Sequence, residues 1–169
     1  MPKKVVIDTN VYVSYLMASR SDTAVAQAVR YAHGRHHLYQ SPETFAELEE
    51  VLARPKFARY FSPDAAQGLL DKIKASATFL EPTTKPQISP DPDDNKFFAL
   101  AEAADADFLL SGDTKHVLTI LDYRNAQTIA PVDFIDPRNR TLYFSHMASP
   151  ARKDSGLFEP VIFETLAQD

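Results

Sequence analysis

The sequence predicts an α/β fold in which helices cover both faces of a parallel sheet. Short runs of apolar, β-branched and aromatic residues alternate with segments of helical periodicity that are roughly 10–15 residues long. The first run, KVVI at 4–7, is apolar after its lysine, which is typical of a strand buried on both faces of a parallel sheet. Strands that alternate with helices in this way indicate βαβ crossovers.

The N-terminal part of the chain is predicted to hold two strands and two helices. The strand at 4–7 is followed by helical periodicity at 11–18 and again at 22–33, where Asp22 is the expected capping residue. HHLYQ at 36–40 has the composition of a short second strand. The intervening helices give the chain room to return, so the two strands can pair in parallel.

The next two helices begin with the same sequence pattern. SPETFAELEEVLAR (41–54) and SPDAAQGLLDKIKASA (62–77) both open on serine, proline and an acidic residue. Serine is a favoured cap, proline is tolerated at the first helical position, and an acid in the first turn complements the helix dipole. A third strand, TFLEP at 78–82, is predicted to follow.

The remaining elements continue the alternation. A loop with three prolines is predicted at 83–94, and it leads into a helix at 94–106. DFLLSGD at 107–113 is predicted as a strand that ends on an aspartate. A short helix from Lys115 to Leu121 and a last strand at 127–131 complete the pattern.

Composition restricts the classes of function. The chain has 169 residues and no cysteine, so it fits one domain without disulfides, thiolate nucleophiles or cysteine-bound metals. No apolar run approaches the roughly 20 residues of a membrane span, so we expect a cytoplasmic protein without membrane contact. The net charge of −5 does not suggest general nucleic-acid binding. Nucleic-acid contact would therefore need local basic patches or metal ions.

Four acidic residues are predicted to gather at one edge of the sheet. Asp8 ends the first strand and Asp113 ends a later one, while Asp94 opens a helix. Glu47 lies one turn into its helix and borders the apolar stripe. Ligands of open α/β sheets bind outside the carboxyl ends of the strands, so this edge is where a site is expected.

The clustered acids favour a divalent cation. Neighbouring carboxylates repel each other and tend to hold protons, and a cation removes that conflict. Oxygen ligands without histidine or cysteine favour Mg²⁺ or Mn²⁺. Such a centre can orient a water molecule and neutralise a phosphodiester during in-line displacement.

Each acid also has an ordinary structural explanation, and other functions stay open. Asp94 can be a helix cap, Asp113 a turn residue and Glu47 a solvated helix charge. A phosphatase with an aspartate nucleophile would need a second aspartate two residues after Asp8, where Asn10 stands. A receiver domain would need a further pair of acids near the first strand.

Four motifs resemble the PIN-domain family, and in particular the VapC-type ribonucleases of bacterial toxin–antitoxin pairs. They are VVIDTNVYVSYL (5–16), SPETFAELEEVLARPKF (41–57), DPDDNKFFALAEAADADFLLSGD (91–113) and TIAPVDFI (128–135). The resemblance implies a three-layer α/β/α sandwich around a Rossmann-like sheet in a nuclease domain at 1–137. It also implies metal-dependent cleavage of RNA, a cognate antitoxin as partner, and it allows a homodimer. A catalytically inactive scaffold that binds RNA or antitoxin is the alternative.

The resemblance also assigns roles to individual residues. The catalytic and metal-binding acids would be Asp8, Glu47, Asp94 and Asp113. Polar support would come from Asn10 and Ser111. Contacts to RNA phosphates would come from Lys96, Lys115 and Arg54.

The chain continues for about thirty residues after the last motif. LYFSHMAS at 142–149 has the sequence of a cloning scar, and GLFEPVIFETL at 156–166 carries several large apolar residues. The extension at 138–169 can therefore be native, a scar, or a fused partner peptide. We expect it to add little to the core, with the part from Ser149 docking on a surface groove.

Overall fold

The computed structural model describes residues 1–18 and 22–136. The predicted C-terminal extension at 138–169, with its three explanations, lies outside the described residues. No helix within the described ranges is long and apolar enough to cross a membrane.

A six-stranded sheet forms the centre of the protein, with the strand order β3-β2-β1-β4-β6-β5. The strands are β1 (Lys4–Ile7), β2 (His37–Gln40), β3 (Thr78–Phe79), β4 (Phe108–Leu110), β5 (Asp122–Tyr123) and β6 (Ala126–Ile129). Every neighbouring pair is parallel except β5 with β6. The predicted α/β fold around a parallel sheet is confirmed, and β5 adds one antiparallel strand at the edge of this sheet.

Within residues 1–18 and 22–136, six α-helices surround the sheet. They are α1 (Thr9–Met17), α2 (Ala24–Arg35), α3 (Pro42–Leu52), α4 (Pro63–Ser76), α5 (Asn95–Ala104) and α6 (Pro131–Ile135). The predicted serine caps of α3 and α4 are confirmed, because Ser41 and Ser62 accept hydrogen bonds from the backbone N–H of Thr44 and Ala65. The cap of α2 is Thr23 instead of Asp22.

Two apolar clusters pack on opposite faces of the sheet. Side chains alternate along β1, so Val5 and Ile7 join a cluster with α1, α2, α3, α4 and α6. Val6 points the other way and packs with Leu109 and the buried face of α5. Both faces of the central strands are covered, which explains the continuous apolar run that predicted β1.

The chain after β4 differs most from the prediction. The expected helix from Lys115 to Leu121 is a single 3-10 turn at Val117–Thr119, and the chain then enters β5. Thr128 explains the difference, because its hydroxyl and backbone N–H bond to the carbonyls of Ile120 and Leu121. These bonds hold Ile120 and Leu121 extended beside β6, so the helical turn cannot continue past Thr119. The helix α6, inside the last motif, was not predicted.

Candidate metal centre

Asp8 occupies the junction between β1 and α1. Its backbone N–H bonds to the carbonyl of Leu110 at 2.9 Å, which joins the ends of β1 and β4. The residue stands at the cap position of α1, yet its carboxylate makes no capping hydrogen bond. The side chain is only 4% exposed and instead accepts a hydrogen bond of 2.7 Å from the hydroxyl of Ser111. The carboxylate is therefore held mainly by Ser111, directly after β4, and the backbone of Asn10 in the first turn of α1 adds a smaller interaction.

The buried position of Asp8 makes its negative charge costly. Burial, followed by the nearby charges of Asp94 and Glu47, raises the pKa of Asp8 to about 7. The hydrogen bond from Ser111 acts in the opposite direction but does not outweigh burial. A nearby cation would strongly stabilise the ionised form of such a carboxylate.

Asn10 and Ser111 fix the turn that follows β4. The side-chain oxygen of Asn10 accepts a hydrogen bond from the N–H of Gly112 at 3.1 Å. The hydroxyl oxygen of Ser111 accepts one from the N–H of Asp113 at 3.1 Å while it donates to Asp8. These bonds connect the two aspartates through the turn.

Asp113 forms a compact arrangement with the residues that follow it. Its Oδ1 accepts hydrogen bonds from the backbone N–H groups of Lys115 and His116, at 2.9 and 3.0 Å. Its Oδ2 lies 2.9 Å from Nδ1 of His116. Burial acts to raise the pKa of Asp113, but these hydrogen bonds together lower it below its ordinary value. The carboxylate is therefore ionised and orients the imidazole.

Asp94 stands at the start of α5 and interacts with both Asp8 and Asp113. Burial raises the pKa of Asp94 to about 6, and the charges of Asp91 and Asp113 add to the shift. His116 and a hydrogen bond from Ser89 partly offset it. Asp94 therefore interacts electrostatically with Asp8 on one side and with Asp113 on the other.

Asp91, Asp94 and His116 form a group that the sequence did not predict. One oxygen of each carboxylate and one ring nitrogen of the histidine all lie within 4.8 Å of one another. Metal-bound histidines commonly bond to a carboxylate through the other ring nitrogen, and Asp113 is placed to supply that bond. The signal in the sequence was a histidine three residues after Asp113, and the run of acids at 91–94 concealed Asp91.

Glu47 lies across the cleft on α3 and is paired. The ammonium of Lys96 directly contacts its Oε2, and the two side chains are 26% and 16% exposed. Both residues line a cleft of about 530 Å³ together with Asp91 and Asp94.

The two remaining predicted substrate contacts are more exposed. Arg54 is at the outer wall of the cleft and lies 3.7 Å from Glu50. Lys115 is exposed in the turn after Asp113. Both side chains can reach a bound polyanion without first being desolvated.

Comparison with known families agrees with this geometry. The family model described as a PIN domain matches residues 4–115, which is more than half of the chain. The chain belongs to the PIN-domain family. PIN domains are generally nucleases, they imply RNA binding, and their nucleases typically use divalent metals. A comparison with curated proteins found no match.

The side chains of this PIN domain fit a divalent ion. Asp91, Asp94 and His116 are close enough for one ion with bonds of roughly 2.0–2.6 Å to contact all three. The raised pKa values of Asp8 and Asp94, caused first by burial and then by neighbouring carboxylates, show that ionised side chains are costly here without a cation. Carboxylates suit Mg²⁺ and Mn²⁺, and an imidazole ligand favours a transition-metal ion such as Mn²⁺.

Asn95 anchors the loop that brings Asp91 and Asp94 to the site. Its buried side-chain oxygen accepts hydrogen bonds from the backbone N–H groups of Ile88 and Ser89, at 3.1 and 2.9 Å. Asn95→Ala is expected to lower the free energy of unfolding by about 1–3 kcal/mol, because two N–H groups lose their partner. Metal affinity should also fall, because Asp91 is no longer positioned.

Urea unfolding and Mn²⁺ titration of the Asn95→Ala variant test this expectation. Asn125→Ala is the matched control, since Asn125 bonds to Asp105 at an exposed site outside the cleft. Equal metal affinity in the Asn95 variant and the wild type would show that the loop is held by other contacts.

Proposed function

We propose that this PIN domain is a metal-dependent endoribonuclease that hydrolyses RNA phosphodiesters, with Mg²⁺ or Mn²⁺ as cofactor. The observation that carries the proposal is the position of Asp94. Its carboxylate lines an open cleft, lies within 4.8 Å of ligand atoms of Asp91 and His116, and interacts electrostatically with the buried Asp8 and with Asp113. Acidic groups with raised pKa values in a cleft are typical of functional sites.

The roles of the protein's own residues follow from their contacts. Asp8, Asp94 and Asp113 would hold the ion, with Asp91 and His116 as added ligands. When bound, the divalent ion supplies charge neutralisation at the phosphodiester and lowers the pKa of a water molecule that it contacts. Ser111 and Asn10 hold Asp8 and the turn before Asp113 in position relative to each other, as their hydrogen bonds indicate.

The cations at the cleft would contact the RNA backbone. Lys115 is exposed beside Asp113, and Arg54 lies at the outer wall of the cleft. Their charges would offset the repulsion between an acidic protein and RNA. The resemblance to PIN-domain ribonucleases implies 5′-phosphate and 3′-hydroxyl ends, which form when an activated water attacks the phosphorus and the 3′-oxygen leaves with a proton.

The phosphatase alternative lacks a proton donor. The position two residues after Asp8 is Asn10, whose side-chain oxygen accepts a hydrogen bond from Gly112. An amide does not exchange a proton in this role. The inactive-scaffold alternative predicts RNA binding without cleavage, and the experiment below separates it from the ribonuclease proposal.

A panel of RNAs tests the activity. Single-stranded RNA, hairpin RNA and DNA of the same sequence are incubated with Mn²⁺, Mg²⁺ or chelator, and the product ends are identified. We expect RNA cleavage only with a divalent ion, and loss of cleavage in Asp94→Asn because the shared carboxylate loses its charge. Asp71→Asn removes one exposed charge on α4, outside the cleft, and is the control. Unchanged cleavage in chelator would reject the mechanism.

A toxin role in a bacterial toxin–antitoxin pair is the finer part of the proposal. It is supported by the resemblance of the four motifs to VapC-type ribonucleases, and it brings a cognate antitoxin as partner. A toxin of this type acts by cutting RNA in the cytoplasm, so the role requires the activity that the RNA panel measures.

A further inference from the structure

Lys96 is a cation built into an acidic cleft. It lies in the first turn of α5, two residues after Asp94, and its ammonium directly contacts Oε2 of Glu47. Both side chains are largely withdrawn from solvent, at 16% and 26% exposure. An ion pair of this kind is screened by salt much less than an exposed one. Lys96 is therefore a fixed positive charge at this position.

The charges around Lys96 show why a cation is needed there. The cleft is lined by six carboxylates and two cations within the described residues: Glu43, Glu47, Glu50, Asp91, Asp93, Asp94, Lys96 and Arg54. Arg54 is about half exposed and lies beside the exposed Glu50. Lys96 instead faces Glu47 and is also attracted by Asp93 and Glu43. Among the described lining residues, Lys96 carries the inner positive charge.

The cleft thus has two parts that need positive charge. On one side, Asp91 and Asp94 line the cleft and have ligand atoms within 4.8 Å of one another and of a ring nitrogen of His116. On the other side, Glu47 already has the ammonium of Lys96 against its oxygen. The buried carboxylate of Asp8 is influenced by the charges of both Asp94 and Glu47.

We propose that Lys96 takes the place of a second metal ion, so that this centre binds a single divalent ion on the side of Asp91, Asp94 and His116. The inference deepens the proposed function and rests on its metal site. A second ion could reach Glu47 only by breaking a partly buried ion pair. It would then place a double positive charge next to the ammonium, and like charges at this distance repel strongly.

The covalent attachment of Lys96 to the chain matters as much as its charge. A metal ion leaves the site when its free concentration falls, but Lys96 is covalently attached and stays. Glu47 is therefore neutralised at every metal concentration, and occupancy of the centre depends on one binding event. The dependence of activity on metal concentration should accordingly follow a single-site curve.

Metal stoichiometry tests the inference directly. The metal-free full chain is titrated with Mn²⁺ by calorimetry, and the loaded protein is examined by electron paramagnetic resonance. We expect one Mn²⁺ per chain in the wild type. In Lys96→Met, which keeps the length of the side chain and removes its charge, we expect two ions and the spectrum of a coupled Mn²⁺ pair.

Two further variants control the experiment. Lys74→Met removes another lysine that pairs with a glutamate of α3, Glu49, outside the cleft, and it should still bind one ion. Glu47→Gln removes the carboxylate itself and should still bind one ion, although more weakly, because Glu47 is not a ligand but the charge of Lys96 is no longer neutralised. If Lys96→Met does not fold, the Glu47→Gln result alone decides.

The outcomes separate this inference from the proposed activity. Two ions in the wild type, one ion with unchanged affinity in a folded Lys96→Met, or loss of the ion in a folded Glu47→Gln would each overturn the inference. One ion in the wild type and two in Lys96→Met, without cleavage of any RNA, would support the inference and reject the ribonuclease. No Mn²⁺ binding at all would overturn both.

Discussion

Replacing Asp8 with asparagine is expected to lower the rate of RNA cleavage at least about a hundredfold, while the fold is retained. Even residues that only support a metal ligand typically contribute 10- to 100-fold to affinity or activity, and Asp8 is itself a proposed ligand. Asparagine keeps the shape and can still accept the hydrogen bond from Ser111. The loss should therefore come from the missing charge.

The control for this substitution is a second buried aspartate. Asp133, on α6, is 6% exposed, and burial raises its pKa to about 6, yet it lies outside the cleft. Asp133→Asn should retain cleavage, measured on the same RNA under saturating Mn²⁺ and normalised to the folded fraction. Comparable losses in the two variants would indicate a general effect of buried aspartates and contradict the assignment of Asp8.

Without divalent ions, the protein is expected to become less stable as the pH rises from about 5 to 8, and Asp8 should account for about 2–3 kcal/mol of that loss. In the folded state the pKa of Asp8 is about 7, against an ordinary value of 3.8. Between these values the folded protein holds a proton that the unfolded chain has released. The penalty for the buried charge is absent below 3.8 and complete above about 7.

Other groups titrate in the same range and must be separated from Asp8. Burial and the charge of Lys72 lower the pKa of His33 to about 4, so His33 makes the protein more stable as the pH rises towards 6.5. The raised pKa values of Asp94 and Asp133 act in the same direction as that of Asp8. The lowered pKa of Asp113 acts below 3.8, outside this range.

The difference in the free energy of unfolding between wild type and Asp8→Asn isolates the contribution of Asp8, because most other groups contribute equally to both proteins. The free energy of unfolding is measured with urea in chelator at several pH values between about 5 and 8. As the pH rises, the value for the variant should increase relative to that of the wild type. Saturating Mn²⁺ should remove the loss in the wild type, since a cation favours the ionised carboxylate. Parallel pH curves for the two proteins would contradict the raised pKa.

Local sequence patterns predicted the parts of this protein that depend on local interactions. The apolar run of β1 and the Ser-Pro openings of α3 and α4 are decided by residues a few positions apart, and the structure agrees with them. The position of Asp8 at a strand end also followed from its neighbours. Its place at the carboxyl edge of the sheet then came from the general rule for α/β folds.

Contacts between distant residues were not predictable in the same way. The pairing of Lys96 with Glu47 joins two helices that are separated by α4 and β3. The proximity of His116 to Asp91 depends on the turn after β4. The segment at 115–121 does not form the predicted helix because Thr128 bonds to the carbonyls of Ile120 and Leu121. Periodicity within one window carries no information on such partners.

The position of β6 has a consequence for synthesis on the ribosome. The residues of β4 pair with Gln127–Ile129, and the N–H of Ser111 bonds to the carbonyl of Ile129 at 3.0 Å. Ser111 in turn holds both Asp8 and Asp113. The nascent chain therefore contains every proposed ligand before it contains the strand that aligns them. A ribosome-bound fragment that ends before β6 has the proposed ligands but lacks the strand that bonds to Ser111, so we expect its metal centre to stay incomplete until β6 is made.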